Sequence, residues 1–243
     1  MRKKVSVIGA GNVGASVAQL IARDGVADVV LFDIAEGIPQ GKALDIAEAC
    51  PLYHSSVSIR GTNRYQDTEG SDIVVITAGI ARKPGMSRDD LMKTNADIVK
   101  GVVSETAKFS PNAVTIVVTN PMDVMAYVGW KVSGARPHRV FGMGGVLDSA
   151  RFRTFISFEL GVSSEDIEAL VMGGHGDQMV PMPRYTTIKG VPMTTMLPPA
   201  KITGLIERTR NGGAEIVGFL KTGSAYYAPA AATYQMIKAV LFD

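Results

Sequence analysis

The residues best equipped for proton chemistry lie in two short stretches, Asp148-Ser149-Ala150-Arg151 and Gly173-Gly174-His175-Gly176-Asp177. A histidine takes up and releases a proton near neutral pH, a carboxylate can orient it, and a guanidinium grips an anion with paired N–H groups. His175 sits between glycines that bring the backbone close, after an apolar run, which favours catalysis over a buried structural role. Asp148 and Arg151 share one helix face, and a surface ion pair is the plainer reading of that spacing. Arg151 also borders an apolar stripe containing Phe152 and Phe155, where partial burial would let its planar fork receive a carboxylate. His54 and His138 have no such company and read as structural or surface residues.

Far upstream stands Gly9-Ala10-Gly11-Asn12-Val13-Gly14. This spacing says little alone, but a β-branched run precedes it and an amphipathic stretch with Val13, Val17, Leu20 and Ile21 follows. In that context Gly9 permits a tight turn, Gly11 lets the backbone approach a pyrophosphate, and Gly14 allows helix to pack closely on strand. The helix start offers unpaired N–H groups to phosphates. Asp33 ends the next apolar run 19 residues after Gly14. A carboxylate there accepts from the adenosine ribose and repels a 2′-phosphate, so NAD is expected over NADP. A proton-shuttling histidine, an anion-gripping arginine and a dinucleotide loop are together the parts of a hydride-transfer enzyme.

Two further segments bear on a ligand. Asn120, in Thr119-Asn120-Pro121, either bonds a nicotinamide ribose and a substrate oxygen or caps an ordinary turn, and the spacing leaves both open. Residues 79–88, with Gly79, Pro84 and Gly85, read as a segment able to close over a ligand. Ser87 and Asp90 form a capping-box pattern that puts Arg88 in the first turn of a helix, where the dipole disfavours a cation. An anionic ligand explains Arg88 most simply, and a solvated basic loop is the alternative.

The elements that must position these groups follow from hydrophobic pattern. Runs 5–8, 29–32, 73–77 and 114–119 are apolar without alternation, as parallel strands covered on both faces are. With helical segments between them, including 40–49, they predict a Rossmann-type α/β domain with a doubly wound parallel sheet over 1–142. Beyond it, a helix over 147–160 presents Phe152, Phe155, Ile156 and Leu160. Strands are expected over 167–172 and 179–188 and helices over 201–221 and 230–241, giving a second, α+β domain over 143–243. Gly212-Gly213 inside a helix lowers its propensity by about 1 kcal/mol per glycine, so close approach of another backbone is expected there.

Composition narrows the partners. The formal charge of +2 over 243 residues, with Lys and Arg scattered, argues against nucleic acid. Cys50 has no cysteine to pair with and reads as a buried thiol in a reducing compartment. No run approaches the roughly 18–20 apolar residues of a membrane span, so no membrane partner and a cytoplasmic location are expected. No metal is expected.

Five motifs, Arg82-Lys83-Pro84-Gly85-Met86-Ser87-Arg88, Thr119-Asn120-Pro121, Val146-Leu147-Asp148-Ser149-Ala150-Arg151-Phe152, Gly174-His175-Gly176-Asp177 and Gly223-Ser224-Ala225-Tyr226-Tyr227, resemble those of the malate dehydrogenases. That group is similar in fold to the lactate dehydrogenases, and the resemblance runs from the glycine fingerprint to the last residue. It implies that His175 is the proton donor and acceptor, that Asp148 orients it, and that Arg151 grips the substrate C1 carboxylate. It further implies that Arg88 polarises the carbonyl and that Arg82 holds a second carboxylate where lactate enzymes carry glutamine. Asn120 would bridge cofactor and substrate, Val118 and Thr119 would line the cofactor site, and Asn95 would lie near the nicotinamide. Ala225, small where lactate enzymes have threonine, fits a longer dicarboxylate. A dianion such as oxaloacetate held away from water needs cationic partners, because an unpaired buried charge costs several kcal/mol.

The resemblance thus implies NAD, malate and oxaloacetate, and a homo-oligomer, dimer or tetramer. Two departures stand out. Ala81 replaces a frequent proline, and relatives continue past the position of Asp243, so the second domain is expected to lack further strands and a final helix. A lactate-type or broader 2-hydroxy-acid dehydrogenase is the nearest alternative, opposed by Arg82 and Ala225. A truncated dinucleotide-binding protein without turnover is the alternative that the early C-terminus favours.

Overall fold

Unalternated apolar runs become neighbouring strands of one sheet. The computed structural model describes residues 2–80 and 87–242, the Arg88 side chain excepted. In chain order the first part holds β1 (Lys4–Ile8), α1 (Asn12–Asp24), β2 (Asp28–Phe32), α2 (Ile38–Ala49), β3 (Ile59–Thr62), β4 (Ile73–Ile76), α3 (Arg88–Phe109), β5 (Val114–Val117), α4 (Met122–Ser133) and β6 (Val140–Gly142). The six strands lie in the order β3-β2-β1-β4-β5-β6 and every pairing is parallel. Central β1 has helices on both faces of its sheet to bury against, and Val5, Val7 and Ile8 are fully buried.

The chain steps outward from β1 to β3, then returns to β4 on the other side of β1. Strand order therefore reverses between β1 and β4, and ligands of such sheets bind beyond the carboxyl ends of the strands at that reversal. The glycine loop leaves β1 at this point. The edge strand β3 was not legible as a strand: its Arg60 is exposed and Gly61 carries no side chain to pack. Gly61 is there for proximity, since a Cβ would collide with the Pro39 carbonyl at the start of α2.

The later elements are α5 (Gly145–Leu160), β7 (Ile167–Glu168), β8 (Val171–Gly173), β9 (Met179–Pro181), β10 (Thr187–Ile188), β11 (Val191–Pro192), α6 (Met193–Met196), α7 (Pro199–Leu220) and α8 (Tyr227–Phe242). Each of the two long strands expected here is broken. Residues 167–172 divide between β7, in a three-stranded sheet, and β8, paired antiparallel with β9. Residues 179–188 divide between β9 and β10 around a 3-10 turn at Pro183–Tyr185. Pro181 and Pro183 have no N–H to continue a ladder, which stops the strand there.

Packing separates two compact units, residues 1–143 with 226–243, and residues 144–225. The closing helix α8, grouped by sequence with 143–243, packs instead on α1: the Tyr234 hydroxyl donates to Asp24 Oδ2 at 2.6 Å. Phe152 and Ile156 of α5 centre the core of the second unit, with Ile167, Met179, Met193 and Leu205 around them.

Candidate active site

In the first unit the loop after β1 is shaped by its glycines. Gly9 has φ +109, a backbone conformation that side chains avoid, and a Cβ there would lie 2.7 Å from Thr77 Oγ1. A Cβ at Gly14 would collide with the Gly9 carbonyl, so α1 can start this close to β1 only without one. Gly11 differs. It caps α1 with no side-chain bond, and a Cβ on it would meet nothing within 4 Å. Protein packing does not demand glycine there, whereas an approaching phosphate would. The first bond inside α1 runs from Ala15 N to Gly11 O at 3.0 Å. The N–H groups of Asn12, Val13 and Gly14 therefore have no partner within the helix. A helix start with an open glycine and undonated N–H groups fits a pyrophosphate.

Asp33, just past β2, accepts from Ala10 N at 2.7 Å through Oδ2 and from Ala35 N at 3.0 Å through Oδ1. Each carboxylate oxygen keeps a further lone pair, so holding the loop and receiving a ribose hydroxyl are compatible. Sequence reasoning missed the other half of this clamp: Lys42 of α2 donates from Nζ to Ala10 O at 2.7 Å. Both polar backbone atoms of Ala10 are thus held by charged side chains. Thr77 was missed too; its hydroxyl donates to Gly9 O at 3.0 Å. Neither bond has a sequence signal, because each reaches a backbone carbonyl far along the chain.

Asn95 of α3 is 1% exposed and fully engaged. Its Oδ1 accepts from Ile80 N at 2.8 Å, and its Nδ2 donates to Asn120 O at 2.7 Å. Asn95 thereby ties the segment after β4 to the segment after β5. Thr119 is buried and donates to Ala78 O at 2.7 Å, while Val118 N continues the ladder to Ile76 O at 2.8 Å. The Asn120 side chain, by contrast, is exposed. The predicted capping box holds as well: Asp90 N donates to Ser87 Oγ at 3.0 Å and Ser87 N to Asp90 Oδ2 at 3.3 Å. Arg88 begins α3, but its side chain lies outside the described residues, as do Ala81 and Arg82.

In the second unit Asp148 occupies the first turn of α5, where the helix dipole favours its charge. Its side chain is 2% exposed and has two cationic or protonatable partners. His175 Nδ1 lies 2.7 Å from Oδ2, and Arg151 Nη1 lies 3.4 Å from Oδ1. An ionised carboxylate only accepts, which assigns a proton to Nδ1, the ring nitrogen that faces it. Burial pushes the Arg151 guanidinium below its ordinary pKa, with Asp148 opposing that shift. Arg151 Nε is buried without a hydrogen-bond partner among the described residues. The His175 loop is anchored from α5: Val171 N donates to Ser149 Oγ at 2.9 Å, and a Cβ at Gly145 would lie 3.2 Å from Val171 O. Gly173 and Gly176, at φ +79 and +130, let the chain turn on either side of the histidine. Among the described residues no group of three His, Cys, Asp or Glu converges to hold a metal, and no helix is long and apolar enough to cross a membrane.

Comparison with known proteins agrees in both parts of the chain. Residues 3–142 match the lactate/malate dehydrogenase NAD-binding domain and residues 145–243 the lactate/malate dehydrogenase α/β C-terminal domain. The malate dehydrogenase of Desulforudis audaxviator is 58% identical over 242 residues, covering 100% of this chain and 78% of that protein. That of a Roseiflexus species is 56% identical, with 100% and 79% covered. Among solved structures, the apo malate dehydrogenase of Picrophilus torridus superposes with a TM-score of 0.98 at 50% identity, covering 100% of this chain and 77% of that one. The Cryptosporidium parvum lactate dehydrogenase complexed with lactic acid and nicotinamide adenine dinucleotide gives 0.96 at 46%, covering 100% and 78%. With family models matched over residues 3–142 and 145–243, this chain belongs to the lactate/malate dehydrogenase family and carries its NAD-binding domain.

Proposed function

We propose that this chain is an NAD-dependent malate dehydrogenase, interconverting malate and oxaloacetate, with His175 as proton donor and acceptor. The observation that carries the reading is Asp148, buried at a helix start and shared between His175 Nδ1 and Arg151. Bound NADH would supply the hydride that the substrate carbonyl carbon receives. The chain's own residues do the rest. Asp148 fixes the imidazole tautomer so that Nε2 gives its proton to the developing alkoxide oxygen, and in the reverse direction takes it back. Arg151 binds the C1 carboxylate in a fork, and Arg82 receives the second carboxylate. Arg88 stabilises negative charge on the carbonyl oxygen as a fixed donor would. The N–H groups at the start of α1 and the Asp33 carboxylate hold the dinucleotide, and Asp33 sets the preference for NAD. Asn120 lies within the cofactor- and substrate-binding set, supported by Asn95. Location in the cytoplasm and assembly into a dimer or tetramer belong to the same reading.

A lactate-type activity is the second reading, favoured by the likeness to the Cryptosporidium lactate dehydrogenase and opposed by Arg82 and Ala225. NADH oxidation separates the two. Oxaloacetate should be reduced with a kcat/KM at least about 100-fold above that for pyruvate, since rejecting the wrong partner leaves a cation unpaired. Preference for pyruvate would establish the second reading, and NADH binding with turnover of neither would overturn both.

A further inference from the structure

Gly212 and Gly213 stand mid-helix in α7, neither at a positive φ, where alanine would serve the helix better. Their reason lies in a neighbour. A Cβ at Gly212 would fall 3.2 Å from Arg151 Cδ, 3.5 Å from Arg151 Nε and 3.5 Å from Phe155 Cε2. A Cβ at Gly213 would fall 3.6 Å from Arg151 Nη2. Gly204 and Gly218 of the same helix would meet nothing within 4 Å, so contact with Arg151 is confined to the pair, tight at Gly212 and ordinary at Gly213. The close approach at this helix is therefore by an arginine side chain, and not by the backbone that the sequence led one to expect.

Polar bonds do little to aim that arginine. Its Nε is buried without a partner among the described residues, and its ion pair to Asp148 is long at 3.4 Å. Its walls are fixed, however. Phe155 lies under the Arg208 guanidinium, with Cζ 4.3 Å from the ring centroid. Arg208 in turn is clasped by Glu215 through two bonds of 3.0 and 2.8 Å that span the glycine pair. We infer that Gly212 and Gly213 form a seat for Arg151, the bare helix backbone setting the direction of its guanidinium and hence the affinity for the substrate carboxylate. The inference rests on the reading that Arg151 binds a carboxylate. Both glycines are positioning residues, acting only through that side chain.

The test combines Gly212→Ala, Gly213→Val, Gly218→Ala as control, Arg151→Lys, and the Gly212→Ala/Arg151→Lys double variant. Lysine keeps the charge but not the planar fork, so the seat has nothing to aim. Gly212→Ala should raise the KM for oxaloacetate about fivefold or more with kcat within about twofold, the pattern of lost ground-state and transition-state binding alike. NADH affinity by fluorescence titration should stay unchanged, Gly218→Ala should move nothing, and in the Arg151→Lys background the glycine substitution should change KM by less than about twofold. Calorimetric titration of malonate into the NADH-loaded protein reads the same seat without turnover. Gly213→Val, whose branched side chain would crowd Arg151 Nη2 where a Cβ alone makes ordinary contact at 3.6 Å, serves if Gly212→Ala does not fold. Unchanged KM and malonate affinity in a folded variant, or an equal loss with and without Arg151, overturns the seat. Wild-type protein that binds malonate through an Arg151-dependent, glycine-sensitive site but reduces no oxaloacetate would overturn the functional reading and leave the seat standing.

Discussion

Asp148 is the residue on which the proposed chemistry of the second unit turns. One of its oxygens faces His175 and the other Arg151, so a single buried carboxylate sets an imidazole tautomer and balances a half-buried guanidinium. Asparagine in its place keeps the shape but presents an amide that can donate to Nδ1, favouring the wrong tautomer. Asp148→Asn should lower kcat by about 10²- to 10⁴-fold while the protein stays folded, as in other catalysts whose orienting carboxylate is replaced. Circular dichroism and steady-state kinetics check both halves of that statement. His175 stood out in the sequence because few residue types can do acid–base chemistry. The spacing of Asp148 and Arg151 read most plainly as a surface ion pair, and their meeting with His175 at one buried carboxylate is what the fold adds. Lys42 and Thr77 were not legible. Their hydrogen bonds go to the carbonyls of Ala10 and Gly9, and backbone acceptors leave no mark on composition or spacing.

At the scale of elements, the strand–loop–helix unit from β1 to α1 separates two roles of glycine. Gly14 is required by packing, whereas no protein atom requires Gly11, which the proposed function gives to an approaching pyrophosphate. Gly11→Ala should leave the melting temperature unchanged or slightly raised but weaken NADH binding by at least about tenfold, since no protein atom resists the added methyl. Gly14→Ala should lose both, with a stability cost of about 2–3 kcal/mol as α1 is forced off the Gly9 carbonyl. Thermal melts paired with NADH fluorescence titrations distinguish the outcomes, and equal loss of stability in the two variants would refute the distinction. The buried strands of the main sheet were readable because both faces are covered and their apolar runs do not alternate. The edge strand β3 was not, because exposure and glycine hide its period, and the breaks that divide 167–172 and 179–188 into β7 to β10 were not, because only proline and the pairing partners set them. The packing of α8 on α1 escaped for the same reason: the Tyr234–Asp24 bond joins positions 210 residues apart.

The whole molecule depends on its acids. Asp67, with 8% of its side chain exposed, is pushed up by burial, but bonds from Arg64 and Thr62 and the charge of Arg60 outweigh this and hold its pKa below the ordinary value. Asp72 is likewise raised by burial and lowered further by Lys4 N–H and Lys3, and Asp24 is lowered chiefly by its bond from Arg23. For each the folded-state pKa lies below the unfolded one, so the stability it contributes is complete above the unfolded value near about 4 and is lost as pH falls through the folded value. Melting temperature should accordingly be flat toward neutrality and fall below about pH 4. Asp67→Asn should cost about 1–3 kcal/mol at neutral pH and flatten the acid limb, and an unchanged acid limb would remove Asp67 from this role.

The most direct test of the account is the pH dependence of oxaloacetate reduction in a single turnover, with NADH bound and hydride transfer limiting. The account predicts a rate that declines as pH rises, because the developing alkoxide needs a proton that His175 Nε2 must carry. A rate that stays level from about pH 5 to about pH 10 would mean that the proton comes from elsewhere, and that the Asp148–His175 pair is not the acid of the reaction.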